Sequence, residues 1–462
     1  MKRSSLKALA AAFALTLPWV VVWLAETGIP SLLALLAPGA VDAPPAFVSS
    51  LPTGGIVALS GIAVLGASFL LAWGAETAEK DVPRSFAIAV LAVLAVAPEY
   101  AVDALYAWNA GAFAGTERGI EAGNLAVANM TGANRILIGI GWAGIALFTV
   151  YRAGSDADPA VVRRPGFLAD TVALDRAIGL EVVFLLAATA WAFLVPVGGG
   201  IDALDMAVLV GIYVAYILVI LKGDIDPDTH HVGVPAYLQT LPKARRIATV
   251  IGLFTYSGLL IFIAVEPFAH GLEELGTAAG IPSFFMIQWI APLASESPEL
   301  IVVLYLVNKA RSTAGFNALI SSKLNQWTLL IGTLVVVYSL ALGRYGALPF
   351  DQKQAGEIWL TAAQSLFAIS VLVNFEISVR EALVILVLFC SQVLFEFLII
   401  RDVVLPLSSY ELLIAYSALY VVLAVGLFVS RRESFQVLLR QTAGTISTAA
   451  GRSEESAPGA DD

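Results

Sequence analysis

The chain has 462 residues, 59% of them hydrophobic and 13% charged, with a formal net charge of −10 and a mean hydropathy of +0.84. Soluble domains carry about 25% charged residues, so a water-exposed surface cannot be built from this composition. A soluble enzyme, a nucleic-acid binder and a disordered protein are excluded, and a polytopic membrane protein remains.

A bilayer-crossing helix needs about 20 apolar residues. Such runs fall near 8–28, 55–74, 86–109, 123–149, 178–197, 204–221, 248–267, 283–307, 314–342, 358–376, 380–400 and 410–430, which makes twelve. They are continuously apolar, without the alternation of a lipid-facing strand, so they predict helices and an all-α fold. The first run follows Met1, Lys2 and Arg3, as a signal peptide would. Leu24, Ala25, Glu26 and Thr27 are not a small-x-small cleavage site, so a retained helix is expected. The single cysteine, Cys390, excludes an intrachain disulfide.

Basic residues gather on the cytoplasmic side of a membrane. With the amino terminus inside, most of the 26 Lys and Arg residues fall in cytoplasmic segments. Only Arg118, Arg344, Lys353 and Arg401 fall outside, and a miscounted helix would invert every later loop. Both termini are therefore expected in the cytoplasm, with the plasma membrane as location. The loops near 151–177 and 222–247 are polar. The second contains Asp224, Asp226 and Asp228, but Pro227, Thr229 and Pro235 break an EF-hand pattern, so a solvated loop is expected. His230, His231 and His270 are all expected in loops.

Arg135 and Lys323 lie inside the fourth and ninth spans. The third span carries Pro98 and Glu99, and the eighth carries Ser295, Glu296, Ser297, Pro298 and Glu299. Each Pro-Glu pair is followed by a span with a polar middle. The fourth has Asn124, Asn129, Thr131 and Asn134, and the ninth has Asn317, Ser321, Ser322, Asn325 and Gln326. The two units are five spans apart, so they are expected to be inverted relative to each other, as in many secondary transporters. A charge at the bilayer centre costs about 2.5–3.5 kcal/mol. Glu99, Glu296, Glu299, Arg135 and Lys323 are therefore expected to face one another or an aqueous cavity. Pro98 and Pro298 cannot donate backbone hydrogen bonds and should break their helices, freeing carbonyl oxygens. Two glutamates, Asn129, Asn134, Ser295, Ser297 and such carbonyls would supply the oxygens that calcium takes, six to eight of them. The competing reading makes the Pro-Glu pairs simple kinks, with ion pairs to Arg135 and Lys323 holding the helices in register.

At these residues the sequence resembles the sodium/calcium exchanger superfamily of cation/calcium antiporters. The resemblance is detailed over 90–142 and 285–335. It implies a ten-helix exchanger core of two inverted repeats, with one extra helix at each end. The segments would be an extra helix and outer loop (1–54), a first repeat (55–222), a cytoplasmic linker (223–247), a second repeat (248–402), an extra helix (403–440) and a disordered tail (441–462). Glu99 and Glu299 would be the central ion-binding acids, with Asn129 and Asn134 matching amides of the first repeat. Ser321, Ser322 and Gln326 fall near the corresponding stretch of the second. The sequence departs from the family pattern at Ala95 and Val96, where hydroxyls are expected, and at Glu296. Lys323 aligns with Asn134, and Arg135 follows one residue on. A fixed ammonium there would weaken sodium coupling and favour proton coupling; the alternative is that both cations merely neutralise Glu296 and another acid.

The expected function is secondary active exchange of Ca2+, or a similar divalent cation, for H+ or Na+. Expelling a divalent ion costs about 2.3 kcal/mol per charge for each 100 mV, and no Gly-x-x-x-x-Gly-Lys-Ser/Thr motif is present to supply it from a nucleotide. The partners are then lipid and inorganic cations, with no cofactor, nucleotide or nucleic acid. Two alternatives stand: an antiporter of another cation on the same scaffold, and a non-transporting membrane receptor or scaffold. An intramembrane enzyme lacks a Ser/His or His/Asp pair within the spans. Asp103 is placed to line an entry path or to be an exposed helix-end acid. Helix–helix adhesion accounts for Asn374, Glu376, Gln392 and Glu396, with a proton route as the alternative for Glu396.

Overall fold

The computed structural model describes residues 2–28, 51–81, 96–152, 158–223, 233–308, 310–401, 403 and 407–455. The chain is predominantly helical. In chain order the long helices are α1 (Lys2–Trp23), α2 (Thr53–Ala78), α3 (Ala97–Ala112), α4 (Glu117–Arg152), α5 (Gly179–Ala192) and α6 (Ala203–Gly223). There follow α7 (Lys243–Ala278), α8 (Ser283–Asn308), α9 (Ser312–Leu342), α10 (Gln352–Leu372), α11 (Val379–Ile400), α12 (Ser409–Ser430) and α13 (Arg432–Glu455). Among the described residues 10 helices are long and apolar enough to cross a membrane. α8 adds an eleventh if its two parts, Ser283–Ser297 and Glu299–Asn308, are one span bent by 52°. The predicted third span runs partly through 82–95, outside the described residues, and α3 is its described part.

Helix starts follow local chemistry. Thr116 accepts the Gly119 N–H before α4, and Asp351 accepts the Gln354 N–H before α10. Ser378 with Glu381 and Ser408 with Glu411 form capping boxes that open α11 and α12. The polar middles of α4 and α9 are marked differently. Each contains one widened, π-type turn, Leu137–Trp142 in α4 and Gln326–Leu330 in α9. Such turns displace the hydrogen-bond ladder by one residue and occur often at functional positions. Gly139 lies in the first of them, and a Cβ there would overlap the Phe389 ring of α11.

The helices gather into two compact units, Met1–Leu105 with His231–Pro298 and Tyr106–His230 with Glu299–Asp462. In the first unit α2 packs along α7 and α1. The α1 contacts are specific: Thr16 and Tyr256 share a hydrogen bond of 2.6 Å, and Phe13 packs on Tyr256 at 5.2 Å between ring centroids. In the second unit the packing pairs are reciprocal. α4 packs on α10 and α11, while α9 packs on α5 and α6. Under the expected repeat α4 corresponds to α9, α5 to α10 and α6 to α11, so each contact recurs with the repeats exchanged.

Several expectations are corrected. The polar 151–177 stretch contains β1 (Val161–Val162) and β2 (Thr171–Ala173). A second pair joins β3 (Gly200–Ile201) to β4 (Leu348–Pro349). β2 also pairs antiparallel with β5 (Glu376–Ser378), between α10 and α11. Arg163–Asp170 and Arg164–Glu376 ion pairs lie beside this sheet, so Glu376 is a sheet residue and not helix adhesive. Asn374 accepts from Arg431 at the foot of α12. His270 lies on α7, exposed, and not in a loop. The tail predicted to be disordered from 441 is helical through Glu455, as part of α13. Its Ser, Thr and Gly content hides a buried stripe of Leu438, Thr442 and Ala449. This stripe belongs to a helix that packs on α5 and α6, with Thr442 Oγ1 donating to the Gly179 carbonyl at 3.3 Å. The Asp224–His231 stretch, within the linker expected at 223–247, and residues 456–462 lie outside the described residues. That linker also holds a helical turn, Val234–Leu238, and the start of α7.

Candidate functional site

Each Pro-Glu motif lies on a helix. Glu99 stands in the first turn of α3 and is 2% exposed, and Asp103, one turn on and on the same face, is fully buried. Asp103 is thus not an exposed helix-end acid. On α8 Ser295 and Glu296 are buried. The Ser295 hydroxyl reaches the Pro292 and Ala291 carbonyls at 3.3 and 3.4 Å, and Ser297 donates to the Leu293 carbonyl. Each serine keeps its oxygen lone pairs available. The side chains of Pro98 and Pro298 lie outside the described residues; the bend of α8 falls between Ser297 and Glu299, where a missing N–H weakens the ladder. Glu299 is half-buried, with the Ser322 side chain of α9 beside it.

Asn129 and Asn134 of α4 are fully buried, and the structure separates their roles. Asn134 donates to the Met130 carbonyl at 2.9 Å, and its Oδ1 accepts from Lys323 Nζ at 2.8 Å. The same ammonium lies 3.3 Å from the Asn134 carbonyl oxygen and 4.4 Å from the Trp327 ring centroid. Of the two residues aligned in the sequence, one therefore holds the other. Asn134 and Lys323 each stand three residues before a widened turn, which supports their equivalence. Ser322 and Gln326 are buried on the same helix as Lys323.

Arg135 is also fully buried, and its carboxylate partner is a residue that the sequence motifs do not mark. Arg135 Nη2 donates to Glu357 Oε2 of α10 at 2.6 Å, and Nη1 donates to Gln392 Oε1 of α11 at 3.2 Å. Lys353, expected in an outer loop, lies in the first turn of α10 and turns inward. Its Nζ is 3.1 Å from Glu357 Oε1 and 3.1 Å from Glu396 Oε1. Arg135 is thus the centre of an ion-pair network linking α4, α10 and α11. An unbalanced cation in a span requires a nearby acid, and that rule alone would have pointed to the acids of the other spans outside the Pro-Glu motifs, Glu181, Asp205, Glu357 and Glu396.

Among the described residues, no group of three or more His, Cys, Asp or Glu side chains is arranged to hold a metal ion. The chemistry available at the two motifs is that of buried carboxylates, Glu99, Asp103 and Glu296, with neutral oxygen donors on the same or neighbouring helices.

The sequence model of the family described as sodium/calcium exchanger protein matches residues 53–222 and 249–398. Among solved structures, an H+/Ca2+ exchanger, CAX, is 40% identical, with a TM-score of 0.79 over 96% of this chain and 98% of its own. YfkE is 15% identical, with a TM-score of 0.48 over 89% of this chain and 99% of its own. The sodium-calcium exchanger NCX_Mj, soaked with Na+ and Sr2+, is 15% identical, with a TM-score of 0.46 over 74% of this chain and 97% of its own. No curated protein shows significant similarity to the chain.

Proposed function

The chain belongs to the sodium/calcium exchanger family and is an integral membrane cation antiporter, a secondary transporter and not an enzyme; from that premise we propose that it exchanges Ca2+ for H+ by alternating access. The observation that carries the choice of proton is the Lys323 ammonium on Asn134 Oδ1. The family resemblance assigns that amide to cation coordination, and here a fixed cation already holds its oxygen. A sodium ion placed beside it would meet like charge without hydration to screen it. The 40% identical relative, described as an H+/Ca2+ exchanger, supports the same reading.

In this mechanism Glu99 and Glu299 are the acids that hold the divalent ion or its competitors. Glu296, Ser295, Ser297 and Asn129 are the further oxygen donors, and Asn134 serves through Lys323 and not as a ligand. Arg135 holds α4 in place. Two inverted repeats, with Pro98 and Pro298 as helix breaks, expose the site alternately to each side. Both termini face the cytoplasm of the plasma membrane, by the distribution of Lys and Arg.

The test is calcium uptake into proteoliposomes under an imposed pH gradient and, separately, an imposed sodium gradient. Uptake under the pH gradient is expected, and Glu299→Gln should abolish it while the protein remains folded. Uptake that requires sodium and ignores pH would overturn proton coupling. No calcium flux under either gradient would overturn calcium as the substrate.

A further inference from the structure

The Arg135 network contains two carboxyl groups in unequal surroundings. Glu357 receives two charge-assisted bonds, from Arg135 at 2.6 Å and from Lys353 at 3.1 Å, one to each oxygen. Glu396, equally buried, receives only a neutral amide donor, Gln392 Nε2 to Oε2 at 3.2 Å. Its Oε1 is fully buried and has no hydrogen-bond donor. Lys353 Nζ is within 3.1 Å of that oxygen but is not aligned to donate to it. The two carboxyl groups also lie against each other. Like charges in contact in a low-dielectric interior repel, and one proton between them relieves the repulsion.

We propose that Glu396 is a proton-binding site inside the membrane domain, separate from the Pro-Glu acids, with Glu357 as the ionised partner that accepts its hydrogen bond. Glu357 is the better-compensated charge, so the proton resides on Glu396. The charged and titratable groups facing it are Lys353 and Glu357 on α10 and Arg135 on α4. The Tyr420 phenol of α12 lies within electrostatic reach of Arg135, and Tyr416 of the same helix is bound to Ser391 of α11. The Lys353 side chain is 20% exposed while both glutamates are fully enclosed, so protons enter from the Lys353 end. When Glu396 loses its proton, its charge competes with Glu357 for Lys353. Glu357 is also the group that holds Arg135, and Arg135 is adjacent in sequence to the amide that carries Lys323. Proton occupancy of Glu396 is therefore felt on α4.

The site is read directly by infrared difference spectroscopy of the purified protein during a pH titration. A protonated carboxyl C=O component is expected in the wild type that is lost in Glu396→Gln, a variant that keeps a hydrogen-bonding side chain of the same size, while any component from Glu99 or Glu299 remains. Lys353→Gln removes a cation beside the pair and should move the titration of the Glu396 component upward by about 1–3 pH units. A spectrum that Glu396→Gln leaves identical to the wild type, or a titration of the Glu396 component unmoved in Lys353→Gln, overturns the proposal. The infrared readout needs no ion flux, so it stands or falls separately from proton-coupled antiport. In proteoliposomes Glu396→Gln should retain calcium uptake with a displaced pH profile; a profile superimposable on the wild type overturns the link from Glu396 to α4.

Discussion

Arg135 and Lys323 are two buried cations, each close before a widened turn of its helix, yet the chain holds them differently. Arg135 is gripped by a carboxylate and an amide from two other helices. Lys323 reaches across to an amide oxygen of α4 and lies over Trp327, one turn along its own helix. The planar guanidinium, with donors fixed in a fork, suits a permanent junction between helices. The ammonium, a compact charge on a flexible stem, suits a position whose partners change. The first arrangement is a clamp, and the second leaves a charge where the family resemblance expects an ion ligand.

This contrast is sharpest in stability. Arg135→Ala leaves Glu357 with its strongest partner gone in a buried site, and breaking such a pair costs about 3–5 kcal/mol. Unfolding of the detergent-solubilised protein should show that loss, and Arg135→Met combined with Glu357→Met should recover most of it, because no buried charge is then orphaned by its partner. A double variant no more stable than Arg135→Ala would show that the pair specifies the helix arrangement and not merely its own neutrality.

The Lys323 side should respond more weakly. Asn134→Ala removes one hydrogen bond to a charged group, worth about 1.5–3 kcal/mol, and leaves Trp327 in place. The same unfolding measurements should rank this variant below Arg135→Ala. If Asn134→Ala proved as costly as Arg135→Ala, Lys323 would be as much a structural clamp as Arg135, and the distinction drawn between them would fail.

Which of these features the sequence revealed depends on how far each signal extends. The spans are legible because each is a run of about 20 residues with one character. Glu99, Glu299 and the amides of α4 are legible because proline, acid and amide recur together in two places. Glu357 is not: a lone acid in an apolar helix has no motif, and only the accounting of Arg135's charge would have led to it. The widened turns leave no compositional trace, since Leu137 to Trp142 reads as ordinary apolar helix. In the tail, Leu438, Thr442 and Ala449 lie on one helical face, but Thr and Ala are too weakly apolar for that stripe to stand out among Ser and Gly.

An ion pair at the edge of the first unit sets the lower end of the scale. Asp81, just past α2, accepts two hydrogen bonds from the Arg246 guanidinium of α7. Those bonds hold its carboxyl below the ordinary value of 3.8, with burial opposing them and the Arg246 charge assisting. A carboxyl depressed in the folded state stabilises the fold at pH values above its ordinary titration, and that contribution disappears as pH falls through the folded-state value. Asp81→Asn should therefore lower the unfolding midpoint slightly near neutral pH, with the gap to the wild type closing in acid below 3.8. High salt should also narrow it, because a pair with 8% and 9% of its side chains exposed is screened more than the Arg135–Glu357 pair at 1% and 0%. A gap that persisted unchanged in acid and in salt would mean that Asp81 acts through packing, and that a pair at the edge of the bundle is insulated from water much as the buried one is.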